Sequence, residues 1–134
     1  MQATLEQMND TAPKTLRITL VDDDPSVRSA VSRLLRSNNY TCKTYDSAES
    51  ALADPDFAGV DCLVLDVQLS GMNGFALRDR LREMGSPTPC LFITAHPATG
   101  SAEWNHAVGD CPCLTKPFEE SQLLAAIDGL VTGS

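Results

Sequence analysis

The feature that most limits the fold is Leu63-Val64-Leu65-Asp66-Val67, an apolar run that carries one carboxylate near its end. It shows no hydrophobic alternation. This predicts a strand buried on both faces, which ordinarily belongs to a parallel sheet covered by helices on either side. Gly71, Asn73 and Gly74 supply the turn beyond it. Ligands of open parallel sheets bind outside the carboxyl ends of the strands, so Asp66 is placed at the edge where such chemistry occurs.

The rest of the chain repeats the same strand-then-helix unit. Residues 1–14 are polar and aperiodic and contain Pro13, which predicts a flexible tail, and 15–134 is expected to form one domain. Leu16 to Val21 is the first strand, followed by Asp22, Asp23 and Asp24, with Asp24 as N-cap and Pro25 at the first helical position. Val27, Ala30, Val31, Leu34 and Leu35 then recur at helical spacing, with Arg28, Arg33 and Arg36 on the other face. Tyr40 to Tyr45 is a more polar strand suited to a sheet edge. A short helix follows from the Ser47 cap to Ala53, ended by Asp54-Pro55-Asp56. Leu77, Leu81 and Met84 mark a helix over 74–84 closed by Gly85, and Pro89 to Thr94 is another buried strand. Ala102, Trp104, Ala107 and Val108 indicate a short, mobile helix between Pro97 and Gly109; the sequence does not decide whether Trp104 packs inward or anchors a partner. Cys113-Leu114-Thr115 is a last strand. Leu123, Leu124, Ile127, Leu130 and Val131 line the final helix. Five such alternations predict an α/β three-layer sandwich, a five-stranded parallel sheet with helices on both faces.

Composition narrows the function. A net charge of -8 opposes a phosphate backbone, so no direct nucleic-acid contact is expected. No segment has the apolar length for a membrane span and residues 1–14 lack a secretory core, so the expected setting is cytoplasmic. Five cysteines, two of them in apolar strands, agree with a reducing compartment, and Cys111-Pro-Cys113 lacks a second ligand pair at metal-site spacing.

Within this architecture the strand ends bring Asp22 and Asp23, Asp66, Thr94 and Lys116 to one edge. Taken singly, each is an ordinary solvated residue. Together they are specific. Clustered carboxylates repel one another unless a hard cation accepts them as oxygen ligands, and a lysine with a threonine hydroxyl opposite suits phosphoryl oxygens.

Val21-Asp22-Asp23-Asp24, Leu65-Asp66 with Gly74 eight positions on, Thr94-Ala95-His96 and Lys116-Pro117-Phe118 together resemble the receiver domain of two-component response regulators, over about residues 16–131. Among receivers the likeness is to those of nitrogen-fixation-type regulators. The resemblance implies a flavodoxin-like fold with strand order 2-1-3-4-5, an order that comes from the family and not from the residue pattern. It implies Asp66 as phosphoacceptor from a phosphohistidine on a histidine kinase or histidine phosphotransfer protein. It further implies Mg²⁺ (or Mn²⁺) held by Asp22, Asp23, Asp66 and the Gln68 backbone carbonyl, with Asp23 the direct ligand and Asp22 acting mainly through water. By the same resemblance Lys116 would pair with the phosphoryl group, Thr94 would be the switch hydroxyl, and Lys116-Pro117 is expected to be a cis peptide. Gln68, Ala95 and His96 occupy positions that modulate dephosphorylation, so slow autodephosphorylation, not enzymatic turnover, is expected. Output would pass to a downstream protein or dimer partner through the 97–131 face.

Two departures from the family pattern stand out. Ser70 replaces the usual proline after the phosphoacceptor, and Cys113 replaces the usual aromatic switch residue. The alternatives are a receiver fragment of a larger transcription regulator or hybrid kinase, a flavodoxin-like electron carrier, and a Mg²⁺-dependent phosphatase. Three carboxylates after strand one oppose a flavin phosphate. Asp66-Val67-Gln68 lacks a second acid two residues on for general acid-base work.

Overall fold

A computed structural model describes residues 15–98 and 100–132. The strands are β1 (Arg17–Val21), β2 (Thr41–Tyr45), β3 (Cys62–Asp66), β4 (Cys90–Thr94) and β5 (Cys113–Thr115). The helices are α1 (Pro25–Ser37), α2 (Ala48–Leu52), α3 (Gly74–Glu83), α4 (Ala102–Val108) and α5 (Glu120–Thr132). All strand pairs are parallel, in the order β2-β1-β3-β4-β5, so β3 is central and the polar β2 is an edge, as expected. The flexible tail expected over 1–14 lies outside the described residues. Among the described residues no helix is long and apolar enough to cross a membrane.

Because β3 is covered on both sides, its residues divide by parity between two cores. Leu63 and Leu65 join Val21, Ala48, Ala51, Leu77, Leu81 and Phe92 under α2 and α3. Cys62 and Val64 join Ile18, Leu20, Val31, Leu35, Leu123 and Ile127 under α1 and α5. This is the three-layer arrangement that the apolar run predicts. Burial pushes the Cys62 and Cys90 thiols up to about 12, so both remain neutral apolar fillers of their strands.

Side-chain caps start four helices, two of them, at Asp24 and Ser47, where the sequence places them. Asp24 accepts from the Ser26 amide, Ser47 from Ser50, Asn73 from Ala76 and Ser101 from Trp104. Trp104 packs inward, its ring edge-on to Phe75 with centroids 5.2 Å apart.

Three expectations are corrected, and one turn is added. Met84 lies outside α3 and is 62% exposed, because the helix closes at Glu83 and the chain reverses at Gly85 (φ 85°), where the Ser86 amide bonds back to the Leu81 carbonyl. Ala30 is exposed, since the buried stripe of α1 is narrow and consists of Val31 and Leu35. Arg28 turns from the outer face to the β1–α1 loop, where it donates to the Asp22 carbonyl at 2.8 Å. After Asp54-Pro55-Asp56 the chain makes a 3-10 turn, Phe57–Gly59, that seats Phe57 edge-on to Tyr45 in the core.

The first turn of α3 presses directly on the end of β3. A Cβ on Gly74 would overlap the Asp66 carbonyl oxygen and lie 3.0 Å from its carbon and 3.2 Å from Val67 Cα, all backbone atoms that cannot step aside. Gly74→Ala is expected to destabilise the fold by about 1–3 kcal/mol, as forced overpacking does, visible as a lower midpoint in thermal unfolding. A wild-type midpoint would show that the α3–β3 approach is not constrained.

Candidate functional site

Each strand of the set delivers its polar residue where the apolar run ends. Asp22 follows β1, and its amide is held by the Tyr45 carbonyl across the β2 edge. Its Oδ1 accepts the Asp24 amide at 2.8 Å, which closes the loop of three acids onto the α1 cap. Asp66 is the last residue of β3, and its Oδ1 accepts the Gln68 amide at 2.9 Å. Thr94 ends β4 and is fully buried. Lys116 follows β5. Its amide donates to the Thr94 carbonyl at 2.7 Å, and the Lys116-Pro117 peptide is cis.

The five residues named from sequence are therefore neighbours along one edge. The Lys116 ammonium sits between two carboxylates, 2.8 Å from Asp22 Oδ2 and 3.0 Å from Asp66 Oδ2. Both acids are almost completely buried, whereas Asp23 is exposed. One carboxylate oxygen from each of Asp22, Asp23 and Asp66 lies within 4.8 Å of the others. These are hard oxygen donors with one open side, a set that fits Mg²⁺.

The electrostatics follow from this geometry. Burial disfavours the charged form of Asp66 and the Asp22 carboxylate adds repulsion. Lys116 and the Gln68 amide offset this only in part, so Asp66 is pushed up to about 6. Burial alone would lower the Lys116 pKa, but its hydrogen bonds to Asp22 and Asp66 outweigh that and hold it above the ordinary lysine value.

The Thr94 hydroxyl is also engaged. It donates to Gln68 Oε1 at 2.6 Å and accepts the His96 amide at 3.1 Å. The side chains of Gln68, Ala95 and His96 are exposed around it. Cys113 is half-buried beside the cluster that holds Phe75, Phe92 and Trp104, so a thiol stands at the position expected for an aromatic ring.

Three supporting residues escape the sequence reading. Arg28 steadies the acid loop through the Asp22 carbonyl. Glu49 of α2 accepts the Met72 amide at 3.2 Å, which ties down the loop that contains Ser70 in place of proline. Arg78 of α3, buried against the Phe92 ring, donates to the Ala107 and Val108 carbonyls and so holds the carboxyl end of α4. None stands at a motif spacing; a charged residue on an otherwise apolar helix face, as at Arg78 between Leu77 and Leu81, is the nearest available signal.

A family model described as the response regulator receiver domain matches residues 18–128. The chain is 35% identical over 126 residues to response regulator protein TodT of Pseudomonas putida, covering 94% of this chain and 54% of TodT. It is 31% identical over 114 residues to transcriptional regulatory protein FixJ of Bradyrhizobium diazoefficiens, covering 85% of this chain and 56% of FixJ. The chain thus spans about half the length of these curated relatives. Among solved structures it is similar to chemotaxis protein CheY4 of Vibrio cholerae, with a TM-score of 0.78 at 28% identity over 87% of this chain and 99% of that one. It is also similar to response regulator StyR, with a TM-score of 0.76 at 36% identity over 88% and 60%.

The Asp66 shift has a stability consequence. An unfolded aspartate titrates near 3.8 and folded Asp66 at about 6, so the folded state binds more protons between those values. Stability should then fall as the pH rises from about 4 to about 6, and the penalty persists above it. Urea midpoints measured across that range are expected to show this slope in wild type and to lose its Asp66 share in Asp66→Asn. An identical slope in the variant would contradict the assignment.

Proposed function

This chain belongs to the response regulator receiver domain family, and from that premise we propose that Asp66 is the phosphoacceptor of a two-component or phosphorelay system. Response regulators are phosphorylated by histidine kinases, and the proposed donor here is a phosphohistidine on a histidine kinase or phosphotransfer protein. A carboxylate oxygen of Asp66 attacks phosphorus as the P–N bond to the donor histidine breaks, leaving an acyl phosphate on Asp66 and a histidine ring that regains a proton. The observation that carries this reading is the Lys116 ammonium bridging two buried carboxylates at the carboxyl edge of the sheet, with Asp23 exposed beside them.

Asp22, Asp23 and Asp66, with the Gln68 backbone carbonyl, are the residues proposed to hold Mg²⁺ (or Mn²⁺), Asp23 being the exposed direct ligand. A bound divalent ion supplies positive charge that makes the approach of a phosphoryl dianion to three carboxylates feasible. Lys116 turns from its paired carboxylates to the phosphoryl oxygens, and the Thr94 hydroxyl moves to bond them. Gln68, Ala95 and His96 surround the path of hydrolytic water and set the lifetime of the acyl phosphate, so autodephosphorylation is slow. Output passes to a protein partner or second copy through the 97–131 face. Because Cys113 is too small for a burial switch between rotamers, the displacement is carried by the segment leading into α4. A second reading, that this is the receiver portion of a larger transcriptional regulator, is favoured by relatives of which the match covers only about half, FixJ among them.

Incubation with a low-molecular-weight phosphodonor and Mg²⁺, followed by intact mass, tests the reading. One phosphoryl increment is expected in wild type, and none in Asp66→Asn or with chelator present. Equal labelling of Asp66→Asn would overturn it. Lys116→Ala is expected to slow labelling roughly a hundredfold, as loss of a charge-stabilising donor does. It should not weaken Mg²⁺ binding, because the substitution removes a competing cation from Asp22 and Asp66. A Lys116→Ala protein that labels at the wild-type rate would remove the lysine from the mechanism.

A further inference from the structure

A hydroxyl has one proton to give, and that of Thr94 is already committed. Thr94 is fully buried, its Oγ1 donates to Gln68 Oε1 at 2.6 Å, and one of its lone pairs takes the His96 amide at 3.1 Å. The Gln68 side chain reaches this hydroxyl from the loop that follows β3, the strand next to β4. Its residue is fixed two positions beyond Asp66 by its own amide, which donates to Asp66 Oδ1. One residue therefore touches both Asp66, through its backbone, and Thr94, through its side chain.

We propose that Gln68 is a latch on the Thr94 hydroxyl: it holds the hydroxyl proton in the unphosphorylated protein and must release it before Thr94 can bond a phosphoryl group on Asp66. The proposal rests on Asp66 being the phosphoacceptor. Gln68 acts here as a positioning residue, through Thr94 and not on the reacting atoms. The physical basis is a competition between two acceptors for one proton. An amide oxygen is a neutral acceptor, whereas a phosphoryl oxygen is charged and makes a hydrogen bond roughly twice as strong. Without phosphorylation the amide therefore keeps the proton, and with it the proton transfers its allegiance. Because Gln68 is exposed, water can take over its freed amide when Thr94 leaves, so the latch opens without leaving a buried group unsatisfied.

The latch sets a threshold. Part of the energy of every phosphoryl–Thr94 bond is offset by the Gln68–Thr94 bond that it replaces, so removing the glutamine acceptor should favour the bonded, signalling position of Thr94 in a way that depends on the hydroxyl itself. This separates a latch from a residue that merely shields Asp66 from solvent, whose effect would be the same with or without the hydroxyl.

The test is the affinity of the phosphoryl mimic beryllofluoride, with Mg²⁺, read by backbone amide shifts. It is measured in wild type, Gln68→Leu, Thr94→Val and the double variant. Beryllofluoride is not hydrolysed as an acyl phosphate is, so effects on dephosphorylation do not enter. Gln68→Leu is expected to tighten binding roughly two- to tenfold, the net worth of one neutral hydrogen bond, and to have no effect in the Thr94→Val background. In the free protein Gln68→Leu should also shift the His96 amide, whose acceptor is the same hydroxyl. Equal tightening in both backgrounds, or none in either, would overturn the latch; Gln68→Ala repeats the comparison should the leucine perturb folding. If wild type binds no beryllofluoride while the free-protein His96 shift is present, the phosphoacceptor reading fails together with the latch's role in signalling, and the two failures are told apart.

Discussion

Two buried carboxylates sharing one ammonium is the arrangement on which the rest of this molecule depends. Asp22 follows β1 and Asp66 ends β3, strands that the sheet order makes neighbours, and Lys116 reaches them from beyond the far edge strand β5. Burial and mutual repulsion keep Asp66 high enough to titrate at about 6. The lysine alone does not cancel the charge of three neighbouring acids, which leaves the edge short of positive charge and suited to a cation and an anion arriving together.

In β3 and β4 the scaffold supplies this arrangement by placing the polar residue only where the buried strand runs out. β3 and β4 are buried along their whole length, so the first positions at which a carboxylate or hydroxyl can reach the loops beyond the sheet are their carboxyl ends, Asp66 and Thr94. The close approach of Gly74 to the Asp66 carbonyl brings the start of α3 directly onto that end. Glu49 then restrains the intervening loop from α2, and Arg28 restrains the acid loop from α1. Helices on both faces thus hold the loops beside Asp22 and Asp66, leaving Asp23, Gln68 and His96 exposed.

The strand ends were legible in the sequence because they depend on local signals. The apolar run of β3, the caps Asp24 and Ser47, and the order of the acidic, threonine and lysine motifs each read from a few adjacent residues. The contacts that escaped are long polar side chains reaching through space. Arg28 falls on the polar side of a periodic helix, yet its guanidinium turns back to the Asp22 carbonyl; Arg78 lies within a buried stripe and finds the end of α4 some thirty residues on. Periodicity also overran the structure at Met84, because a spacing rule has no term for the backbone turn that ends α3 first. The Gln68–Thr94 bond could not be read from spacing at all, since it depends on the register of two neighbouring strands.

The most direct measurement of the central claim is chemical localisation of the phosphoryl linkage. Borohydride reduces an acyl phosphate to a primary alcohol and leaves free carboxylates unchanged, so peptide sequencing of reduced, phosphodonor-treated protein marks the acceptor residue itself. An acyl phosphate on Asp66 gives the alcohol at residue 66 alone, with Asp22 and Asp23 intact. Reduction at either of those acids, or a phosphorylated protein that yields no alcohol anywhere, would contradict it.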